Sequence, residues 1–171
     1  MPRAPRQLDG HDVARRLAEA LPGVVTAVTD EWVEVDKDRV AEALTWLRDD
    51  DELDAAQLSC LCGVDRHDHF EVVYWLQSFD RNHPIEVKAR IADHEAPSLP
   101  SAYPVYKGAL LQEDEVYDLM GIRFEGHPNL RRLFLWEGYP GWPLRKDFLQ
   151  LEGRFPGLPK FPYEEQGVQV R

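Results

Sequence analysis

Sulfur is scarce in this chain: two cysteines and two methionines in 171 residues. Cys60 and Cys62 are too few for a four-cysteine iron–sulfur cluster or a zinc ribbon. Two cysteines two apart on a strand are also a poor disulfide pair, and the expectation is a pair of reduced packing residues. Serine is equally thin: Ser59, Ser78, Ser98 and Ser101, none in a Gly-x-Ser-x-Gly elbow. Neither a phosphate-binding glycine loop nor a dinucleotide fingerprint occurs. Apolar runs stay far below the ~20 residues that span a bilayer. The opening MPRAPRQLDG lacks an apolar core, so no signal peptide is expected and the chain reads as cytosolic, alone or docked. Basic residues are outnumbered, 20 against 31 acids, for a formal charge of −11. That balance argues against nucleic acid and against docking on anionic lipid.

What is present suits one folded domain: 43% hydrophobic and 30% charged residues. Val13, Leu17 and Leu21 predict a helix over 12–21, stopped by Pro22-Gly23. A hairpin follows, with strands over 24–28 and 31–35 and a turn at Thr29-Asp30. Asp36 is positioned to cap a second helix through Arg48, with Val40, Ala43, Leu44 and Leu47 as its stripe. Asp49 to Glu52 read as a solvated acidic turn. Three strands come next, over 58–64, 70–79 and 85–91, as an antiparallel meander. Leu58, Cys60, Cys62 and Val64 are expected on one face of the first. The second is apolar on both faces and is expected to be covered on both. The third alternates, with Ile85, Val87, Ala89 and Ile91 inward.

Beyond Pro97 and Pro100, Ser101 is expected to cap a helix over 102–120 that Gly121 ends. Glu113 lies within that helix's apolar stripe of Tyr106, Leu110, Tyr117 and Met120. A half-buried carboxylate needs a partner, so an arginine is expected against it: Arg123, Arg131, Arg132 or Arg145. Residues 122–124 are expected to add a short strand, and 129–135 one or two helical turns. The fold class is α+β: a mixed, mainly antiparallel sheet with helices packed on it. Residues 1–148 form the domain and 149–171 an extended C-terminal tail. That tail mixes Gly153, Pro156, Gly157, Pro159 and Pro162 with Leu151, Phe155, Leu158, Phe161 and Tyr163, a pattern suited to lying on another surface.

Five acids, Glu113, Asp114, Glu115, Asp118 and Glu125, face five bases, Arg123, Arg131, Arg132, Arg145 and Lys146, within a turn-rich block. In that block YDLMGIRFEGHPNLRR and GWPLRKDF resemble the signature of the 30 kDa subunit family of respiratory complex I. The resemblance reaches back to about Leu58 through LSCLCGVDRHDHFEVVYWLQSF. It implies a non-catalytic accessory subunit in the hydrophilic arm of a proton-translocating NADH:quinone oxidoreductase. Partners would be the large quinone-site subunit and neighbouring hydrophilic subunits, on the cytoplasmic side of the membrane, peripherally bound. The protein would hold no cofactor; NADH, FMN, iron–sulfur clusters and quinone would belong to other subunits.

The motif positions so implied, for local architecture and docking, are Glu113, Glu115, Tyr117, Asp118, Gly121, Gly126, His127, Pro128, Leu130, Arg131, Arg132, Pro143, Leu144, Arg145, Lys146 and Asp147. The family usually has Glu-Arg-Glu where Glu113-Asp114-Glu115 stand, and tryptophan at Leu111. The reversed charge at Asp114 requires one ion pair to be lost or rebuilt. A related membrane-bound hydrogenase subunit is one alternative. The other is a small metal-dependent hydrolase using His67, His69, His83 or His127, although His127 reads first as the hydrogen-bonded pin of the Gly126–Pro128 turn.

Overall fold

A computed structural model describes residues 8–148. Asp9 opens helix α1 (Gly10–Ala20) by accepting the His11 amide at 2.9 Å, and Val13, Ala14 and Leu17 are buried. The expected hairpin forms as β1 (Val25–Val28) and β2 (Trp32–Val35), whose turn is held by Glu31 and Trp32 amides donating to Thr29 Oγ1. Asp36 does cap, but it caps a short 3-10 turn, Lys37–Arg39, that leads into α2 (Val40–Asp49). All four expected apolar positions of α2 are buried. The acidic turn after it is less bare than its charges suggest: Arg16 reaches both Asp50 and Glu52.

The meander also forms, as β3 (Gln57–Asp65), β4 (Phe70–Ser78) and β5 (His83–Ile91), all antiparallel. The sheet has five strands in the order β1-β2-β5-β4-β3, and β2 runs parallel to β5. Val33, Val35, Ile85, Val87, Ala89, Ile91, Phe70, Val72, Tyr74, Leu76, Leu58 and Leu61 form the core face. Two expectations fail on this sheet. A bulge between Leu58 and Cys60 inserts Ser59 as an extra residue, so Leu61 rather than Cys60 turns inward. Local alternation in the sequence carries no mark of that bulge. The second face of β4 is not fully covered either, because Trp75 is 42% exposed.

A smaller unit completes the fold. Strand β6 (Ser98–Pro100) pairs in parallel with β7 (Arg123–Glu125), and α3 (Ala109–Met120) connects them. The strand expected over 122–124 is β7; the prolines around β6 mask it in the sequence. Helix α3 begins seven residues later than expected, because Pro104 and Gly108 interrupt. Ser101 instead caps a separate turn, with the Tyr103 amide donating to its hydroxyl at 3.1 Å. Helix α3 lies close on β3: a Cβ at Gly63 would stand 2.6 Å from Met120 Sδ. The residues expected as helical turns, 129–135, form no helix. The tail expected over 149–171 lies outside the described residues.

Candidate functional site

Helix α3 carries three buried carboxylates, Glu113, Asp114 and Asp118, exposed by 0%, 2% and 0%. They lie toward the chain that precedes and follows the helix. Both Glu113 oxygens are occupied: Ser101 Oγ donates to one at 2.6 Å and the Ala102 amide to the other at 2.6 Å. Asp114 accepts the Arg131 amide at 3.0 Å. One oxygen of Asp118 accepts the Leu133, Phe134 and Leu135 amides at 3.0, 2.7 and 3.0 Å, and the other takes Arg132 Nη1 at 3.4 Å. Residues 131–135 have no helix or strand of their own. The helix carboxylates stand in for the missing backbone acceptors.

Among the described residues no arginine meets Glu113, which corrects the sequence expectation. One backbone amide and one hydroxyl occupy its oxygens instead, and every residue type except proline carries such an amide. Burial pushes the Glu113 carboxyl up from its ordinary value, while the Ser101 and Ala102 bonds hold part of that rise back. A carboxyl raised in the fold binds its proton more tightly there than in the unfolded chain. Its contribution to stability is therefore full below 4.5 and is lost as pH rises through the raised folded value. Glu113→Gln keeps an acceptor for Ala102 and gives Ser101 a donor. The variant's stability relative to the native chain is thus expected to climb as pH rises above 4.5, measured by denaturant unfolding. A flat difference over that range rejects the assignment.

The arginines have other partners. Arg132 bridges Asp118 and the Gly141 carbonyl, with its guanidinium 4.4 Å from the Trp142 ring. Arg145 donates to the Met120 carbonyl at the end of α3 at 2.6 Å and to the His94 carbonyl at 3.0 Å. A cation on the Met120 carbonyl complements the negative end of the helix dipole. Trp142 lies over Gly121, with Tyr117 5.5 Å away between ring centres. At the far end the Lys146 amide donates to Asp65 at 2.9 Å. Burial works against the Asp65 charge, yet the Lys146 and His67 amides bring its carboxyl below the usual value. Residues 126–148 are thus a wrap fastened to the core at Asp114, Asp118, Gly121, Met120 and Asp65.

His127 is the pin its sequence context suggests. Its Nε2 donates to the Leu110 carbonyl at 3.0 Å and its Nδ1 accepts the Asn129 amide at 3.2 Å. Both ring nitrogens are used, which leaves none for a metal or substrate. The other histidines do not join it. His69 is held by Asp68 and Glu71 at one end of β4, where Phe70 pairs with Ile91. His83 pairs with Ser78 at the other end, eight residues along, roughly 27 Å away. Among the described residues one trio of possible ligands converges, Asp9, His11 and Asp30, all exposed and placed at the positive end of α1.

The motif therefore divides. Glu113, Asp118, Gly121, His127, Arg132 and Arg145 point into the fold. Glu115, Gly126, Pro128, Arg131, Leu144, Lys146 and Asp147 are exposed, and Tyr117, Leu130 and Pro143 lie between. Sequence reasoning undervalues Asp114, which is buried and accepts the Arg131 amide. Leu111 is 58% exposed, as is Leu144, and Phe134 is 66% exposed. A small groove between α3 and β3 is lined by Leu61, Cys62, Glu115, Val116, Leu119 and Leu144.

Comparison with known proteins identifies the family. Residues 33–154 match the family described as Respiratory-chain NADH dehydrogenase, 30 Kd subunit. A Maricaulis maris protein, named as the C subunit of NADH-quinone oxidoreductase, is 44% identical over 142 residues, covering 81% of this chain and 70% of that one. A Roseiflexus castenholzii protein of the same name is 41% identical over 147 residues, covering 82% and 84%. A polypeptide in the structure of the membrane-bound sulfane sulfur reductase, an archaeal respiratory membrane complex, shares the fold at a TM-score of 0.61. It is 19% identical, with 94% of this chain and 91% of that one covered. With the sheet, the stapled helix and the wrap all inside or adjoining the matched span, the chain belongs to the 30 kDa subunit family of the respiratory-chain NADH dehydrogenase.

Proposed function

We propose that this chain is a non-catalytic structural subunit in the hydrophilic arm of a proton-translocating NADH:quinone oxidoreductase. The observation that carries the reading is the saturation of the site. Glu113, Asp118 and His127 spend their polar atoms on the protein's own chain, so the motif builds a surface and not a reaction centre. NADH, FMN, iron–sulfur clusters and quinone fall to other subunits on this reading. The names of its relatives favour this assembly over a membrane-bound hydrogenase. No described helix is long and apolar enough to cross a membrane, which supports a peripheral position, here assigned to the cytoplasmic side. The partner is the large quinone-site subunit, met by Leu111, Leu144 and Phe134.

Arg132 is a poor test residue, since it braces Asp118 and Gly141. Leu144→Asp places a charge on an exposed apolar position instead. It is expected to weaken association by about 2 kcal/mol, roughly thirtyfold. The measurement is co-purification of the large subunit with tagged protein from solubilised membranes, beside a thermal melt of the isolated variant. Undiminished association with an unchanged melt rules out this docking surface.

A further inference from the structure

Strand β3 is the last strand of the sheet, and its bulge decides which side chains leave the core. Cys60 pairs with Trp75 and Cys62 with Val73, so both thiols stand on the face away from Tyr74 and the core. Cys60 is exposed, Cys62 is half-buried, and neither is in a disulfide. Alternate residues on an extended strand lie about 6.8 Å apart at Cα, the upper limit for a disulfide, with their Cβ vectors parallel. Direct S–S bonding is disfavoured by that geometry. Parallel vectors suit a guest atom that bridges the sulfurs. Burial pushes the Cys62 thiol up, and so do the neighbouring Cys60 and Glu86.

We propose that Cys60 and Cys62 form a surface dithiol clamp for a thiophilic ion, with trivalent arsenic as the fitting guest. Soft thiolates select soft acceptors. Zinc fits poorly, because it needs about four donors. Among the described residues no third His, Cys, Asp or Glu converges with this pair. An organoarsenous acid has two exchangeable hydroxyls and one retained carbon substituent. Cys60 sulfur bonds to arsenic while its proton leaves with one hydroxyl as water. Cys62 then displaces the other hydroxyl in the same way, releasing a second water. Arsenic stays trivalent and both sulfurs keep the thiol oxidation level. Because the second step is intramolecular, the chelate resists competition by monothiols.

Phenylarsine oxide added to the full-length protein tests the clamp, read by intact-mass spectrometry. One arsenical per molecule is expected to survive excess 2-mercaptoethanol and to leave with 2,3-dimercaptopropanol. Cys60→Ser and Cys62→Ser are each expected to lose the adduct already in 2-mercaptoethanol, with thermal melts like the native protein. An adduct stripped from the native protein by the monothiol overturns the proposal. So does an adduct that either single variant retains.

Discussion

Replacing Asp118 by alanine is expected to release residues 131–135 from helix α3 while the five-stranded sheet stays folded. One oxygen of Asp118 accepts three consecutive amides, and the other faces Arg132. A carboxylate bond to an amide is about twice as strong as a neutral one. Removing the acceptor strands three donors and a guanidinium beside a fully buried position, and those donors regain partners only by moving out to water. We expect a loss of about 3 kcal/mol, or roughly 6–12 °C in melting temperature for a protein of this length. The specific readout is amide exchange: Leu133, Phe134 and Leu135 lose protection together, while amides of β4 and β5 keep theirs. Asp118→Asn retains one acceptor oxygen and should lose less. Unchanged exchange at those three amides in the alanine variant contradicts the stapling role.

The second large effect is expected at Gly121. This residue ends α3 with φ at +74°, and a Cβ there would stand 2.5 Å from the Trp142 indole. An alanine meets two separate penalties. The left-handed backbone costs about 1–2 kcal/mol. Displacing the indole costs about 1–3 kcal/mol more, because Trp142 is also the platform for Arg132. Gly121→Ala should therefore destabilise by about 2–5 kcal/mol and change the tryptophan fluorescence. Introduced together with Trp142→Leu, it should cost only the backbone part. An equal penalty in both backgrounds disproves the collision.

Much of this architecture can be read from residue order. The apolar stripe of α2, the clean alternation of β5 and the Gly121 stop are local patterns, and they appear where expected. Glu113 is also legible as an anomaly, since a carboxylate amid Tyr106, Leu110 and Met120 demands a partner. The partner's identity is not legible. Arginines are conspicuous in a sequence, whereas backbone amides are silent and available nearly everywhere. The same silence hides the three amide hydrogen bonds to Asp118 and makes residues 129–135 look helical. The bulge at Ser59 escapes for a related reason: it follows from pairing with β4, not from the alternation of β3 itself. Pairing across long stretches of chain is also why β6 and the parallel β2–β5 contact give no sequence signal.

That parallel contact sets an order of events. Trp32 cannot find Glu86 until the whole meander between them exists. The first hairpin leaves the ribosome early, yet its own sheet edge stays open until β5 has been synthesised. The N-terminal third of the molecule must therefore wait with the backbone edge of β2 unpaired, an open template for a wrong strand until its own arrives.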